Sequence, residues 1–159
     1  MKTIIVYATS HGTTESVAEQ IKSKLQGDVD LANIKKQKKI DLDAYDQIII
    51  GGSIHMGVIQ KKIKKFCEQN THILLQKKLG LFLSCMDDEK AQEQFDKAFS
   101  DELKAHATTY KLTGGEFKLE KMNFLERSIV KKVSGETESV NNLKPDRISE
   151  LVKELETDN

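Results

Sequence analysis

The chain has 159 residues, and its 25 lysine and arginine residues are balanced by 25 aspartate and glutamate residues. Its length suits one domain with its own core, and its net charge offers no general attraction for nucleic acid. With no run of 18 apolar residues, and no small-residue cleavage signal after the short apolar stretch in MKTIIVYATS, the expectation is a cytoplasmic protein.

Ile4 to Tyr7 form an uninterrupted apolar run, as in a strand buried on both faces. Val17, Ile21 and Leu25 then recur at helical spacing. DVDLANI alternates as a short strand, and the lysine-rich KKQKKIDLDAYD reads as a solvated link. Ile48 to Ile50 form a second buried strand, stopped by Gly51 and Gly52. Ile59, Ile63 and Phe66 mark a helix. LGLFLSCM is a third buried strand, and Phe95, Ala98, Phe99 and Leu103 give one following helix an apolar face. TTYKLTGG is a weaker strand. The last helix begins near Pro145, a good first-turn residue, and turns Ile148, Leu151, Val152 and Leu155 inward. Cys67 and Cys85 lack metal-ligand spacing and form no disulfide framework, so no metal is expected and both read as core residues.

Strands alternating with helices require right-handed crossovers, which produces an α/β fold: a doubly wound parallel sheet with helices on both faces. Ligands bind such sheets beyond the carboxyl ends of the strands, where strand order reverses. The segment from about 114 to 138 interrupts the alternation. In it Met122, Leu125, Ile129 and Val133 form a helical stripe ending at Lys131, Lys132 and a capping Gly135. This insertion is either a helix packed on the sheet edge or an amphipathic surface for a membrane or partner.

Three loops carry candidate chemistry. In TSHGTT, a helix starting near Thr13 or Thr14 presents unpaired N–H groups, and Thr9, Ser10, Thr13 and Thr14 add hydroxyls, so a phosphate can be held without a cation. Gly12 permits close approach of the backbone. The nucleoside-triphosphate and dinucleotide signatures are absent from this loop. In GGSIHMG, the apolar Ile54 and Met56 beside His55 and three glycines suggest a flat ligand pressed between loops. SCMDDE brings Ser84, Cys85 and Met86 to the same crevice, while Asp87 or Asp88 caps the next helix. A phosphorelay receiver needs carboxylates where this chain has Thr9, Ser10, Gly51 and Gly52, so that reading fails.

Together the loops resemble those of the flavodoxins. TSHGTT is similar to the phosphate loop for flavin mononucleotide (FMN), with His11 standing where a hydroxyl residue is usual. The resemblance implies a five-stranded sheet in the order 2-1-3-4-5. It also implies an FMN ring held between the loop of Gly52, Ser53, Ile54, His55, Met56 and Gly57 and the loop of Ser84, Cys85, Met86 and Asp87. Neither loop has the usual stacking Trp or Tyr, which leaves Met56, His55 or Met86 to cover the ring, a thioether contact being favoured. Met56-Gly57 resembles a flavodoxin turn whose peptide reorients toward reduced flavin.

MKT before the first strand, the G-x-S-I-x-x-G pattern at Gly51, Ser53, Ile54 and Gly57, and the late SGETES further resemble the quinone-linked protoporphyrinogen IX dehydrogenases of haem biosynthesis. That resemblance implies an oxidoreductase passing hydride from a porphyrinogen or similar donor to FMN and then to a quinone, with His55 the candidate acid-base group. It leaves peripheral contact with the inner face of the membrane, through 114–138, as an expectation. The alternative is a one-electron carrier docking with a redox partner. Carriers are typically acidic, whereas this chain is neutral with lysine clusters at 35–39 and 61–65.

Overall fold

The computed structural model describes residues 1–9, 12–117 and 140–157. From the amino terminus come β1 (Lys2–Tyr7), α1 (Thr13–Lys24), β2 (Asp28–Asn33), β3 (Gln47–His55), β4 (Val58–Ile59), α2 (Lys61–Leu74) and β5 (Lys78–Ser84). They are followed by α3 (Ala91–Ala98), α4 (Asp101–His106), β6 (Thr109–Leu112), β7 (Gly114–Phe117), β8 (Val140–Leu143) and α5 (Pro145–Thr157). Five strands are parallel and lie in the order β2-β1-β3-β5-β6. Leaving out the short antiparallel β4, that is the expected order 2-1-3-4-5. The sheet grows one way from β1 to β2 and the other way from β1 through β3, so the switch point lies between β1 and β3.

The apolar runs are continuous because both faces of the sheet are covered. Alternate residues serve alternate layers. Ile4, Val6, Ile48, Ile50 and Leu81 join Ile63 and Cys67 of α2, Phe95 of α3 and Leu103 of α4. Ile5, Tyr7, Ile49 and Phe82 pack against Val17 and Ile21 of α1 and Ile148, Leu151 and Leu155 of α5. Both cysteines are buried, as a core reading requires, and burial pushes the Cys67 thiol up to about 12.

Three elements differ from expectation. β3 does not stop at its glycines. Pairing of Gly52 with Leu83 and Ser53 with Ser84, then of Ile54 and His55 with β4, carries it to His55, and Ile59 falls in β4 rather than in the helix. The single helix expected through Phe95 and Leu103 is two, because Phe99 is extended and the Ser100 hydroxyl accepts the Leu103 N–H to start α4. Phe99 and Leu103 are buried in the same layer nonetheless, which is why their periodicity suggested one helix.

The insertion opens as β structure: β7 and β8 pair antiparallel. This arm is tied to the sheet where Cys85 N–H donates to the Gly114 carbonyl at 3.1 Å and Lys144 N–H to the Thr113 carbonyl at 2.9 Å. The stripe from Met122 to Gly135 lies outside the described residues. Among the described residues, no helix is long and apolar enough to cross a membrane.

Candidate functional site

Because β1, β3 and β5 are parallel neighbours, the three segments singled out in the sequence leave the same edge of the sheet. The first turns on Thr9, whose Oγ1 accepts the Gly12 N–H at 2.9 Å and so keeps its own hydrogen for another acceptor. Gly12 takes φ +83°, a left-handed conformation that suits glycine. Its carbonyl receives the first helical bond of α1, from Ser16 N–H at 2.9 Å. The N–H groups of Thr13, Thr14 and Glu15 precede that ladder, and among the described residues no side chain caps the helix. Glu15, in the same turn, accepts a hydrogen bond from the Tyr7 hydroxyl at 3.0 Å. Burial, reinforced by that carboxylate, holds the Tyr7 phenol protonated well above its ordinary range. Ser10 and His11 lie outside the described residues.

Thr14 is 1% exposed, and its Oγ1 has no hydrogen-bond partner among the described residues. A buried hydroxyl left unpaired is costly. It sits in the first turn of an uncapped helix, where amides and dipole together favour an anion. Replacement Thr14→Val preserves shape and removes the orphan. It is expected to stabilise the protein alone by about 1 kcal/mol, read as a higher urea midpoint; a lower midpoint would mean that the hydroxyl is satisfied in solution.

The second segment is a β-hairpin rather than an irregular loop. His55 pairs with Val58, leaving Met56 (φ +52°) and Gly57 (φ +84°) as a two-residue turn with both residues left-handed. Such turns match strand twist but disfavour a residue with a Cβ. Met56 is the one non-glycine residue with positive φ among the described residues. It is also 72% exposed, beside Val58 at 62%. A strained turn that holds apolar side chains in solvent is a mark of a binding surface.

Gln60, which the sequence did not single out, joins the first two segments. Its Nε2 donates to the Ala8 carbonyl at 2.8 Å and to Ser53 Oγ at 2.9 Å, while its Oε1 accepts the Ser53 N–H at 2.8 Å. Two of these partners are backbone groups with fixed roles, so the amide has only one consistent orientation. Ser53 Oγ lies 3.0 Å from His55 Nε2, which extends the chain of contacts to the exposed imidazole. A single glutamine just past the hairpin gives no periodicity or motif that would point to Ala8, 52 residues earlier.

The third segment divides. Ser84 is buried, its hydroxyl 3.1 Å from that of the fully buried Thr113. Cys85 is buried too, and burial raises its thiol above the ordinary value. Met86 is half-buried, and a side chain at Gly115 would meet its Sδ at 3.3 Å. Asp87 is exposed and accepts the N–H groups of Glu89 and Lys90 at 3.1 and 3.3 Å, closing the turn before α3 rather than capping the helix as expected, because α3 starts at Ala91 with Lys90 in the cap position. The edge therefore brings together Thr9, Gly12, Thr13 and Thr14, the hairpin from Ser53 to Gly57, and Met86 with Asp87. Gly52 lies beneath Ile59 and Gln60. No group of His, Cys, Asp and Glu suited to a metal occurs among the described residues.

Known proteins fit this geometry. Flavodoxin 2 of Bacillus cereus superposes over the whole of both chains with a TM-score of 0.63 at 18% identity. The flavodoxin of Streptococcus pneumoniae TIGR4 does so with a TM-score of 0.59 at 17% identity. At such identities the likeness is one of fold. A protoporphyrinogen IX dehydrogenase [quinone] of Escherichia coli K12 is 29% identical over 73 residues, which is 44% of this chain and 40% of that protein. The chain thus matches less than half the length of that curated relative. The flavodoxin-domain family model matches residues 4–143, from within β1 to the end of β8. It takes in all three site segments and most of the chain, which therefore belongs to the flavodoxin-domain family.

Proposed function

We propose that this chain is an FMN-dependent oxidoreductase. The observation that carries the reading is the buried Thr14 hydroxyl, without a partner among the described residues, in the first turn of α1. A phosphate oxygen is the acceptor this hydroxyl lacks, and family membership makes FMN the source. Thr9, Gly12, Thr13 and Thr14, with Ser10 and His11, hold the phosphate. The hairpin from Ser53 to Gly57 and the loop of Met86 and Asp87 border the ring, and the Met56 thioether takes the place of an aromatic side chain. Bound FMN supplies hydride and electron chemistry that no side chain here can perform. Thr14→Val, stabilising to the protein alone, weakens FMN binding by about tenfold.

Within this class, a quinone-linked dehydrogenase acting on a porphyrinogen or similar reduced donor is the reading we favour, supported by the partial likeness to the Escherichia coli enzyme. A carbon donor that loses hydride must also shed a proton. His55, placed by the contact between its Nε2 and Ser53, is the group to receive it. The exposed Met56 and Val58 favour a second reading, electron exchange with a docked protein.

The test is anaerobic reduction of FMN-loaded protein followed by a soluble menaquinone analogue. Prompt return of oxidised-flavin absorbance is expected, and then formation of fluorescent porphyrin from protoporphyrinogen. Reduced flavin that ignores the quinone would remove the quinone link, and a chain that binds no FMN would overturn the function.

A further inference from the structure

We infer that the carboxyl edge of the sheet carries a basic docking surface for an acidic protein, centred on the start of α2 and the tip of the hairpin. The inference rests on charge placement, and the association itself does not depend on the cofactor. Lys61, Lys62, Lys64 and Lys65 fall within the first five residues of α2, all four are exposed, and the first turn holds no acid. Cations belong at the other end of a helix, because the amino terminus is already positive. None of the four pairs with an acidic side chain among the described residues. The fold thus bears an uncompensated cost at this place, the kind of local conflict that marks a functional surface.

A second row adds to the first. Lys36, Lys38 and Lys39 are exposed in the link after β2, and Lys35 is exposed beside them. The flanking Ile34 and Ile40 pack against the same core layer as Ile63 and Cys67 of α2. Residues 34–40 and 61–65 together hold eight of the 25 basic residues and no acidic one, leaving 17 basic residues against 25 acidic in the rest of the chain. Both segments follow the carboxyl ends of strands, so they concentrate positive charge at the edge where the candidate site opens, apart from the acidic turn of Asp87, Asp88 and Glu89 after β5. Val58 lies three residues before Lys61, so the exposed Met56 and Val58 supply a small apolar centre to a basic rim. An apolar centre with a charged rim is the anatomy of a protein interface, and the charge sets the on-rate and the choice of partner.

A bilayer fits less well. The apolar face of α2 is already occupied, since Ile63, Cys67 and Leu74 are in the core, and among the described residues the only large exposed apolar groups here are Met56 and Val58. A membrane-lying helix needs a free apolar face.

The probes are an acidic [2Fe–2S] ferredoxin, the basic protein cytochrome c, and phosphatidylcholine vesicles containing about one quarter phosphatidylglycerol, each titrated with FMN-loaded and FMN-free protein. Ferredoxin is expected to bind both forms, at least about tenfold more weakly at near-physiological than at low ionic strength. Cytochrome c is expected not to bind. The triple variant Lys61→Glu, Lys62→Glu, Lys65→Glu should lose ferredoxin binding at least about tenfold while its unfolding midpoint rises, since acids suit this end of the helix. That rise separates loss of docking from loss of fold. Equal binding of cytochrome c, unchanged binding by the variant, or vesicles bound in preference to ferredoxin would each overturn the inference. A chain that binds ferredoxin but not FMN would retain the docking surface and remove the oxidoreductase.

Discussion

Gly12→Asp is expected to abolish retention of FMN while leaving the fold in place. Gly12 stands at φ +83° immediately before α1, and its carbonyl starts the helical ladder. A carboxylate there suits the helix electrostatically, so α1 persists, at a conformational cost of about 1 kcal/mol for a side chain in the left-handed region. The same carboxylate puts negative charge where the phosphate is proposed to sit, and it competes for the amides and the Thr14 hydroxyl. A loss of at least about 4 kcal/mol, or a thousandfold in affinity, is expected. Flavin fluorescence titration reads it directly. Riboflavin, which has no phosphate, provides the control: its affinity should be nearly unchanged. A variant that keeps wild-type affinity for FMN would remove the phosphate site from this loop.

The second large effect is on stability. Gly51 belongs to the motif that suggested a flavin loop, yet the structure gives it a packing role. A Cβ at this position would lie 1.8 Å from Cζ of Phe82 and 2.1 Å from its Cε1. Phe82 is fully buried and shares its layer with Ile148, Leu151 and Leu155 of α5, so the ring cannot retreat without displacing that helix. Gly51→Ala is expected to cost about 3 kcal/mol, the upper end for an overpacked core, and to lower the unfolding midpoint by roughly 10 °C. Phe82→Leu opens space at the point of collision. The double variant should therefore be more stable than the sum of the two single changes predicts, by at least about 1 kcal/mol. Additive effects in that cycle would mean that the ring does not oppose the new methyl group.

The two glycines show how unevenly sequence features convert into structure. Gly12 was legible because a helix start, a hydroxyl-rich loop and a preceding buried strand lie within a dozen residues. Gly51 was visible as part of a pattern, but its reason lay in an aromatic ring 31 positions away. The pairing that carries β3 through Gly52 to His55 depends on β5 and β4, so reading the glycines as a strand stop missed the hairpin. The break between α3 and α4 was hidden because Phe95 of α3, Phe99 of the extended link and Leu103 of α4 all reach the same layer. Gln60 left no trace at all, since each of its partners is fixed by the docking of one segment on another.

By itself, the sequence determined the alternation of strands and helices, the parallel sheet and the edge on which the candidate site opens. These follow from local hydrophobic periodicity and from the handedness of crossovers, which are properties of consecutive residues. Tertiary structure alone decided which residues of each loop face outward. It buried Ser84 and Cys85, exposed Met56 in a strained turn, left the Thr14 hydroxyl unpaired, and tied Ala8 to Ser53 through Gln60. Burial and hydrogen-bond satisfaction are set by groups brought together from distant parts of the chain, and no window of neighbouring residues contains them.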